Sequence, residues 1–169
     1  AHNSSILLEN DYRKLGETWS TPRIVKLKIS GADKWVAIAG GGYNGATNPN
    51  YGSAVFIIDL ENDGKLINKI DIQDKSSIDI VNSIPSDLTI ITADSTENAK
   101  YHGALVYAFD LEGKITKINL TNSTENESDL FDQTTLFRLG ANTDNKRYSY
   151  FSMDAGIGQT TREFWLFGG

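Results

Sequence analysis

The chain contains no cysteine and only two histidines in 169 residues. Disulfides, thiol nucleophiles and cysteine metal sites are excluded together, while the compartment stays open because many secreted bacterial proteins also lack cysteine. Concentrated positive charge is missing too. The 16 Lys and Arg are outnumbered by 22 Asp and Glu for a formal charge of −6, and no segment gathers the basic residues into the patch a nucleic-acid binder needs. No apolar run approaches the roughly 20 residues of a membrane-spanning helix, and Ala1-His2-Asn3-Ser4-Ser5 lacks the basic and apolar regions of a signal peptide. Neither nucleic acid nor membrane insertion is expected. Sustained helical periodicity is absent from every stretch.

Present instead are short β-branched or aromatic segments bounded by Gly, Asn or Asp, which is the strand signature. Strands are expected at Arg23 to Ile29, Lys34 to Ala39, Ser53 to Leu60, Leu66 to Ile72, Asp79 to Val81, Leu88 to Ala93, Leu105 to Asp110, Ile115 to Leu120, Thr135 to Leu139, Tyr148 to Met153 and Glu163 to Phe167. Hairpin turns are expected at Ser30-Gly31-Ala32-Asp33, Asn62-Asp63-Gly64 and Glu112-Gly113, where Gly and Asp supply the turn chemistry. With 39% hydrophobic and 22% charged residues the composition is that of an ordinary globular protein, and residues 1–169 are expected to form a single all-β domain.

One strand-turn-strand unit is written twice. Ala54 to Leu66 carries Asp59-Leu60-Glu61 ahead of Gly64-Lys65, and Leu105 to Ile115 carries Asp110-Leu111-Glu112 ahead of Gly113-Lys114. A period of roughly 50 residues marks repeated β-sheet blades. Apolar strands entering loops occur at Trp35 to Gly41, Leu88 to Asp94 and Phe164 to Gly169, and the first two lead into the repeated hairpins. The expected unit is an outer strand, a central strand, a loop and a hairpin, which is the four-stranded antiparallel blade of a β-propeller. At roughly 45 residues per blade the chain holds about three to four units, whereas propellers close with about 4 to 8. The expectation is an incomplete propeller, or an arc that another segment completes. The start without Met and the final strand running into Gly168-Gly169 add the expectation of a piece of a longer polypeptide. Thr121 to Ser128, polar and acidic, reads as an inter-blade loop. Asn3, Asn119, Asn122 and Asn126 open glycosylation sequons, a pattern that an Asn- and Ser-rich chain produces by chance.

Four ordered motifs carry a family resemblance. They are Trp19-Ser20-Thr21-Pro22, then Trp35-Val36 ending in Gly40-Gly41-Gly42-Tyr43, then an Asn-rich loop, then Gly52-Ser53-Ala54 closing on Asp59. Together with Ile84-Pro85-Ser86-Asp87-Leu88-Thr89 and Tyr107 to Lys114, the run from Gly16 to Leu120 resembles the C-terminal domain of PilY/PilC-type proteins, the tip-associated adhesins of bacterial type IV pili. The resemblance implies a modified β-propeller. It further implies an outer-membrane or extracellular location and a part in pilus assembly, retraction and surface adhesion.

Proteins of that family often carry an EF-hand-like calcium loop between the strands that correspond to Leu88 and Leu105. Here the loop is Asp94 to Ala104, in which Asp94, Glu97 and Asn98 are the candidate calcium ligands. Calcium takes about 6 to 8 oxygen ligands on a tight turn, whereas here the Asp/Asn alternation is broken. Lys100 adds a repelling charge, and Ala104 or His102 stands where the closing carboxylate belongs. A plain surface connection is the first reading of this loop and calcium the alternative. The loop Tyr43 to Gly52, rich in Asn, is read as structural through its Gly and Pro content. Asp59 and Asp110, repeated at strand ends, are expected to cap hairpins through backbone N–H groups. Trp19, Trp35 and Trp165 are expected to pack between blades.

Catalytic chemistry finds little support. A Ser-His-carboxylate arrangement has only His102 in the interior of the chain to draw on, with no nucleophile-elbow sequence around it. Gly40-Gly41-Gly42 belongs to no nucleotide-binding pattern and reads as a strand end where chains approach closely. The expected function is a non-enzymatic adhesion or assembly module at a pilus tip, its partners being pilus subunits, another segment of the same adhesin, or a host or surface receptor. A quinoprotein-like propeller enzyme and a structural subunit of an extracellular filament remain as alternatives.

Overall fold

The computed structural model describes residues 12–43, 51–72, 82–92, 103–121, 132–139 and 148–168. Strand β1 (Arg23–Ile29) shows how the local code works: Val25, Leu27 and Ile29 are buried while Ile24 and the lysines between them face outward, the period-2 pattern of a half-covered strand. Ser30 (φ 50°) and Gly31 (φ 79°) reverse the chain in two residues, and β2 (Ala32–Gly40) pairs back onto β1 with Ile29 opposite Ala32. Two consecutive positive φ values match the twist of antiparallel strands. Strands β3 (Ala54–Asp59) and β4 (Leu66–Asp71) complete a four-stranded sheet in the order β1-β2-β3-β4.

A second four-stranded sheet follows, ordered β5-β6-β7-β8, from β5 (Thr89–Ile91), β6 (Leu105–Phe109), β7 (Lys114–Asn119) and β8 (Asp132–Arg138). Strands β9 (Asp154–Ile157) and β10 (Phe164–Phe167) form a third, two-stranded sheet. Every pairing is antiparallel, no sheet closes on itself, and no helix occurs among the described residues. The all-β, blade-like architecture expected from the repeat is what the chain adopts.

The sheets stack, and the stacking explains why β3 and β6 are apolar on both faces. Val55 and Ile57 of β3 share one core with Val106 and Ala108 of β6, together with Leu27, Ile38, Ile70, Ile84 and Ile118. The opposite face of β3 turns Phe56 toward Tyr12, whose ring stacks on it at 5.8 Å. The opposite face of β6 turns Tyr107 and Phe109 toward Met153 and Leu166. Each fully buried Ile, Leu or Phe contributes roughly 1.5–3 kcal/mol, so the shared core is what joins the first two sheets.

Two expectations need correction. Residues 148–153 form no strand, and the strand there starts at Asp154. Met153 instead buries its side chain against Tyr107 and Phe109, while its carbonyl accepts a hydrogen bond from Thr89 Oγ1. The repeat unit is also phased differently in the two sheets. The Asp-Leu-Glu hairpin supplies the third and fourth strands of the first sheet but the second and third of the next, because β8 adds to the outer side of β7. The expected strand at Asp79 to Val81 lies outside the described residues.

Candidate functional site

Residues 82–88 form a strap that stitches the first two sheets together. Ser83 O accepts from Leu111 N–H at 3.0 Å and Ser83 Oγ donates to Tyr51 O at 3.0 Å. Ile84 N–H donates to Gly52 O, and Ile84 O accepts from Gly42 N–H at 2.8 Å. Pro85 O accepts from Trp19 N–H, and Asp87 Oδ1 accepts from Thr21 N–H. Close approach of backbones needs glycine. A Cβ on Gly41 would stand 2.7 Å from Gly52 O, and one on Gly42, where φ is 87°, would overlap the Glu17 carbonyl.

The head of the strap rests on a buried polar cluster at the turn between β6 and β7. Asn82 Nδ2 donates to Asp110 Oδ2 at 3.0 Å and also to Glu112 Oε2. Lys114 Nζ donates to Ile72 O at 2.7 Å and stands 3.5 Å from Asp110 Oδ2. Asp110 Oδ1 accepts from Lys114 N–H at 2.9 Å. Asn82, Asp110, Glu112 and Lys114 are all buried. Withdrawal from water pushes the Asp110 carboxyl up to about 6, and Glu112 pushes the same way, against the opposing pull of Lys114 and the Asn82 hydrogen bond. Beside the cluster lies a cleft of about 190 Å3 lined by Lys114, Thr116 and Arg138 among others. Its two cations already face Asp110 and Glu112, so it holds no surplus positive charge for an anion.

A carboxyl that ionises less readily folded than unfolded lowers stability where it is charged. Stability from Asp110 is therefore fully present below about pH 4 and falls as pH rises toward about 6, an effect on the order of 3 kcal/mol. Urea unfolding of the chain and of Asp110→Asn between pH 4 and pH 8 is expected to show this downward slope in the parent and its loss in the variant. Equal slopes would remove the buried charge from the account.

The recurrent aspartates cap their hairpins as expected, Asp59 Oδ1 accepting from Glu61 N–H at 2.9 Å where Asp110 takes Lys114 N–H. Each also faces a lysine, Lys34 in the first sheet and Lys114 in the second. Gly40-Gly41-Gly42 is the close-approach strand end that its composition suggests. The tryptophans are a correction. Trp19 is 68% exposed, Trp35 47% and Trp165 52%, so none packs between the described sheets. Trp35 lies in the outward register of β2 opposite Lys26, whose Nζ sits 5.9 Å from its ring centre. Trp165 occupies the outer side of β10, since its neighbours Phe164 and Leu166 turn inward onto Tyr107 and its cluster.

Asp94, Glu97 and Asn98 lie outside the described residues, as do His102 and residues 44–50 of the Asn-rich loop. Ala104 is described. It is fully buried and exchanges backbone hydrogen bonds with Leu120, so the closing position there offers calcium no side-chain oxygen. The cluster of Asn82, Glu112 and Lys114 escaped the sequence reading. Its signal was present in Glu112-Gly113-Lys114, but the same letters in the first hairpin, Glu61 and Lys65, are not buried.

Stacked four-stranded antiparallel sheets, each carrying an Asp-capped hairpin, define a protein of the β-propeller class. The chain belongs to the PilY1 β-propeller domain family of type IV pili, whose model matches residues 8–160. No curated protein and no solved structure matches the chain. No helix among the described residues is long and apolar enough to cross a membrane.

Proposed function

We propose that the chain is a non-enzymatic module of a type IV pilus-associated protein, acting in adhesion or pilus assembly at the cell surface. The observation that carries this reading is the family match over residues 8–160. The architecture is in keeping with the family, since the buried polar groups of Asn82, Asp110 and Lys114 are engaged in joining two blades. In this reading residues 1–169 form one part of a larger propeller. The outer face of the third sheet, with Trp165 52% and Phe167 59% exposed, is where a further blade of the same adhesin stacks. Pilus subunits, or a receptor on a host or another surface, are the partners proposed.

The test is replacement of the encoding segment in its own bacterium by a version carrying Gly42→Ala. Loss of surface pili is expected if the module serves assembly, and normal pili with lost attachment if it serves adhesion. Unchanged piliation together with unchanged attachment would overturn the proposal. Calcium at Asp94, Glu97 and Asn98 is a separable part of it. A ligand bound only by the folded chain raises the melting temperature, by about 2.7 kcal/mol of added stability at a hundredfold excess over its dissociation constant. Melting curves with and without excess calcium decide the matter, and an unchanged midpoint removes the site.

A further inference from the structure

Four buried side chains meet where the strap crosses the turn between β6 and β7: Asn82, Asp110, Glu112 and Lys114. Three of them make an ordinary cluster of buried charges. The fourth, the Asn82 amide, is held with its nitrogen on two carboxylates at once, Asp110 Oδ2 at 3.0 Å and Glu112 Oε2. Lys114 Nζ stands 3.5 Å from the same Asp110 Oδ2. One carboxylate oxygen therefore touches an amine on one side and an amide nitrogen on the other.

The first hairpin, written in the same letters, is arranged differently. Its lysine after the glycine, Lys65, stays half in water, and its aspartate, Asp59, faces Lys34 of β2. A lysine buried beside an amide belongs to the second hairpin only.

Exchange of an amine for the nitrogen of an amide needs the two groups held together, a carboxyl able to take and return a proton, and exclusion of water. All three needs are met here. Asp110 Oδ2 holds both nitrogens, and Asn82, Asp110 and Lys114 are each almost wholly withdrawn from solvent. Burial raises the Asp110 carboxyl to about 6, with Glu112 pushing the same way against Lys114 and Asn82. A group so placed gives up and regains a proton readily near neutral pH.

We infer that Lys114 and Asn82 become joined by a side-chain amide bond, formed by the chain on itself with Asp110 carrying the protons. Asp110 Oδ2 takes one proton from the Lys114 ammonium, and the freed Nζ lone pair attacks Asn82 Cγ. A second proton from Nζ passes through the same carboxyl to Asn82 Nδ2. The bond between Cγ and Nδ2 then breaks, and ammonia leaves, taking up the first proton as ammonium. One amine and one amide have become a substituted amide and an ammonium ion, with no oxidant and no cofactor. The new bond fastens the strap, and through it the first sheet, covalently to the second hairpin. In the unlinked chain Lys114 keeps its ammonium, so the ion-pair effects on stability belong to that form. The bond forms once per chain and stands whether or not the chain serves a pilus.

Peptide mapping tests this directly. The protein is isolated from its own bacterium, kept folded at pH 7 for several days, then denatured and digested with trypsin, which does not cut after an acylated lysine. Expected is residues 76–100 joined to residues 101–117, about 17 Da lighter than the two peptides together. Fragmentation should read two N-termini, Ser76 and Tyr101, with the branch between Asn82 and Lys114. Lys114→Arg, which keeps the charge, and Asn82→Ala are each expected to give no joined peptide. Asp110→Ala, shown to be folded by circular dichroism, is expected to give none either, and a joined peptide there would remove Asp110 as the proton carrier. Full cleavage after Lys114 in the parent protein overturns the bond. So does water lost between Lys114 and Asp110, or ammonia lost from Asn82 while Lys114 stays free, since those are a different link and a succinimide.

Discussion

Gly42→Ala is expected to cost about 4 kcal/mol or more of folding stability, read as a fall in the urea midpoint. Two effects add at this residue. Its φ of 87° lies where a Cβ costs roughly 1–2 kcal/mol on backbone grounds alone. The added carbon would also overlap the carbonyl of Glu17, and both of the hydrogen bonds between Tyr43 and Glu17, at 2.8 Å, hold that approach in place. Relief requires opening the contact between the entry segment and the end of β2, on which the strap at Ile84 also depends. Gly31→Ala isolates the first effect. Its φ is 79°, but a Cβ there meets nothing within 4 Å, so a loss of about 1–2 kcal/mol is expected. Equal losses in the two variants would show that the close approach contributes nothing.

Lys114→Met is expected to cost about 3–5 kcal/mol at pH 7 to 8, the range for stripping one partner from a buried ion pair. Methionine keeps most of the apolar stem, so packing changes little. What is lost is the ammonium that bonds Ile72 O and faces Asp110, in a cluster that also buries Glu112. The pH dependence separates this account from a simple packing defect. Lys114 holds the Asp110 carboxyl lower than burial alone would leave it, so without it the proton binds more tightly and the penalty shrinks as pH falls toward about 6, below which both forms fold with the carboxyl protonated. Lys65→Met, at the equivalent and only half-buried position of the first hairpin, is expected to change stability by about 1 kcal/mol or less. A penalty for Lys114→Met that is the same at pH 5 and pH 8 would rule out the charge pair as its source.

Much of the fold was legible because its strands obey local rules. Val25, Leu27 and Ile29 alternate with lysines, and Ser30-Gly31 and Asp63-Gly64 take the positive φ that their composition suggests. The aspartate caps were legible for the same reason, since an Asp at a strand end reaches N–H groups within its own turn. Tyr148 to Met153 misled because a run of aromatic and apolar residues looks like a strand wherever it lies, while Met153 is recruited as a plug for a neighbouring sheet. The tryptophans misled in the same way. A large apolar side chain signals burial only when another layer is there to cover it, and among the described residues none covers the sides of β2 and β10 on which Trp35 and Trp165 stand.

The sequence by itself determined the all-β architecture, the repeated hairpin and the family, because alternation, turn residues and ordered motifs are written in neighbouring letters. It did not determine what each copy of the hairpin does. Asp59-Leu60-Glu61 and Asp110-Leu111-Glu112 have the same letters, yet Leu60 is 45% exposed and Leu111 3%. Only the tertiary structure decided that difference, by laying residues 82–88 across the second turn and leaving the first in water. Covering the second turn removes water from Glu112 and Lys114, whose counterparts Glu61 and Lys65 keep contact with it, so there the charges must be satisfied around Asp110, whereas Asp59, buried as well, pairs with Lys34.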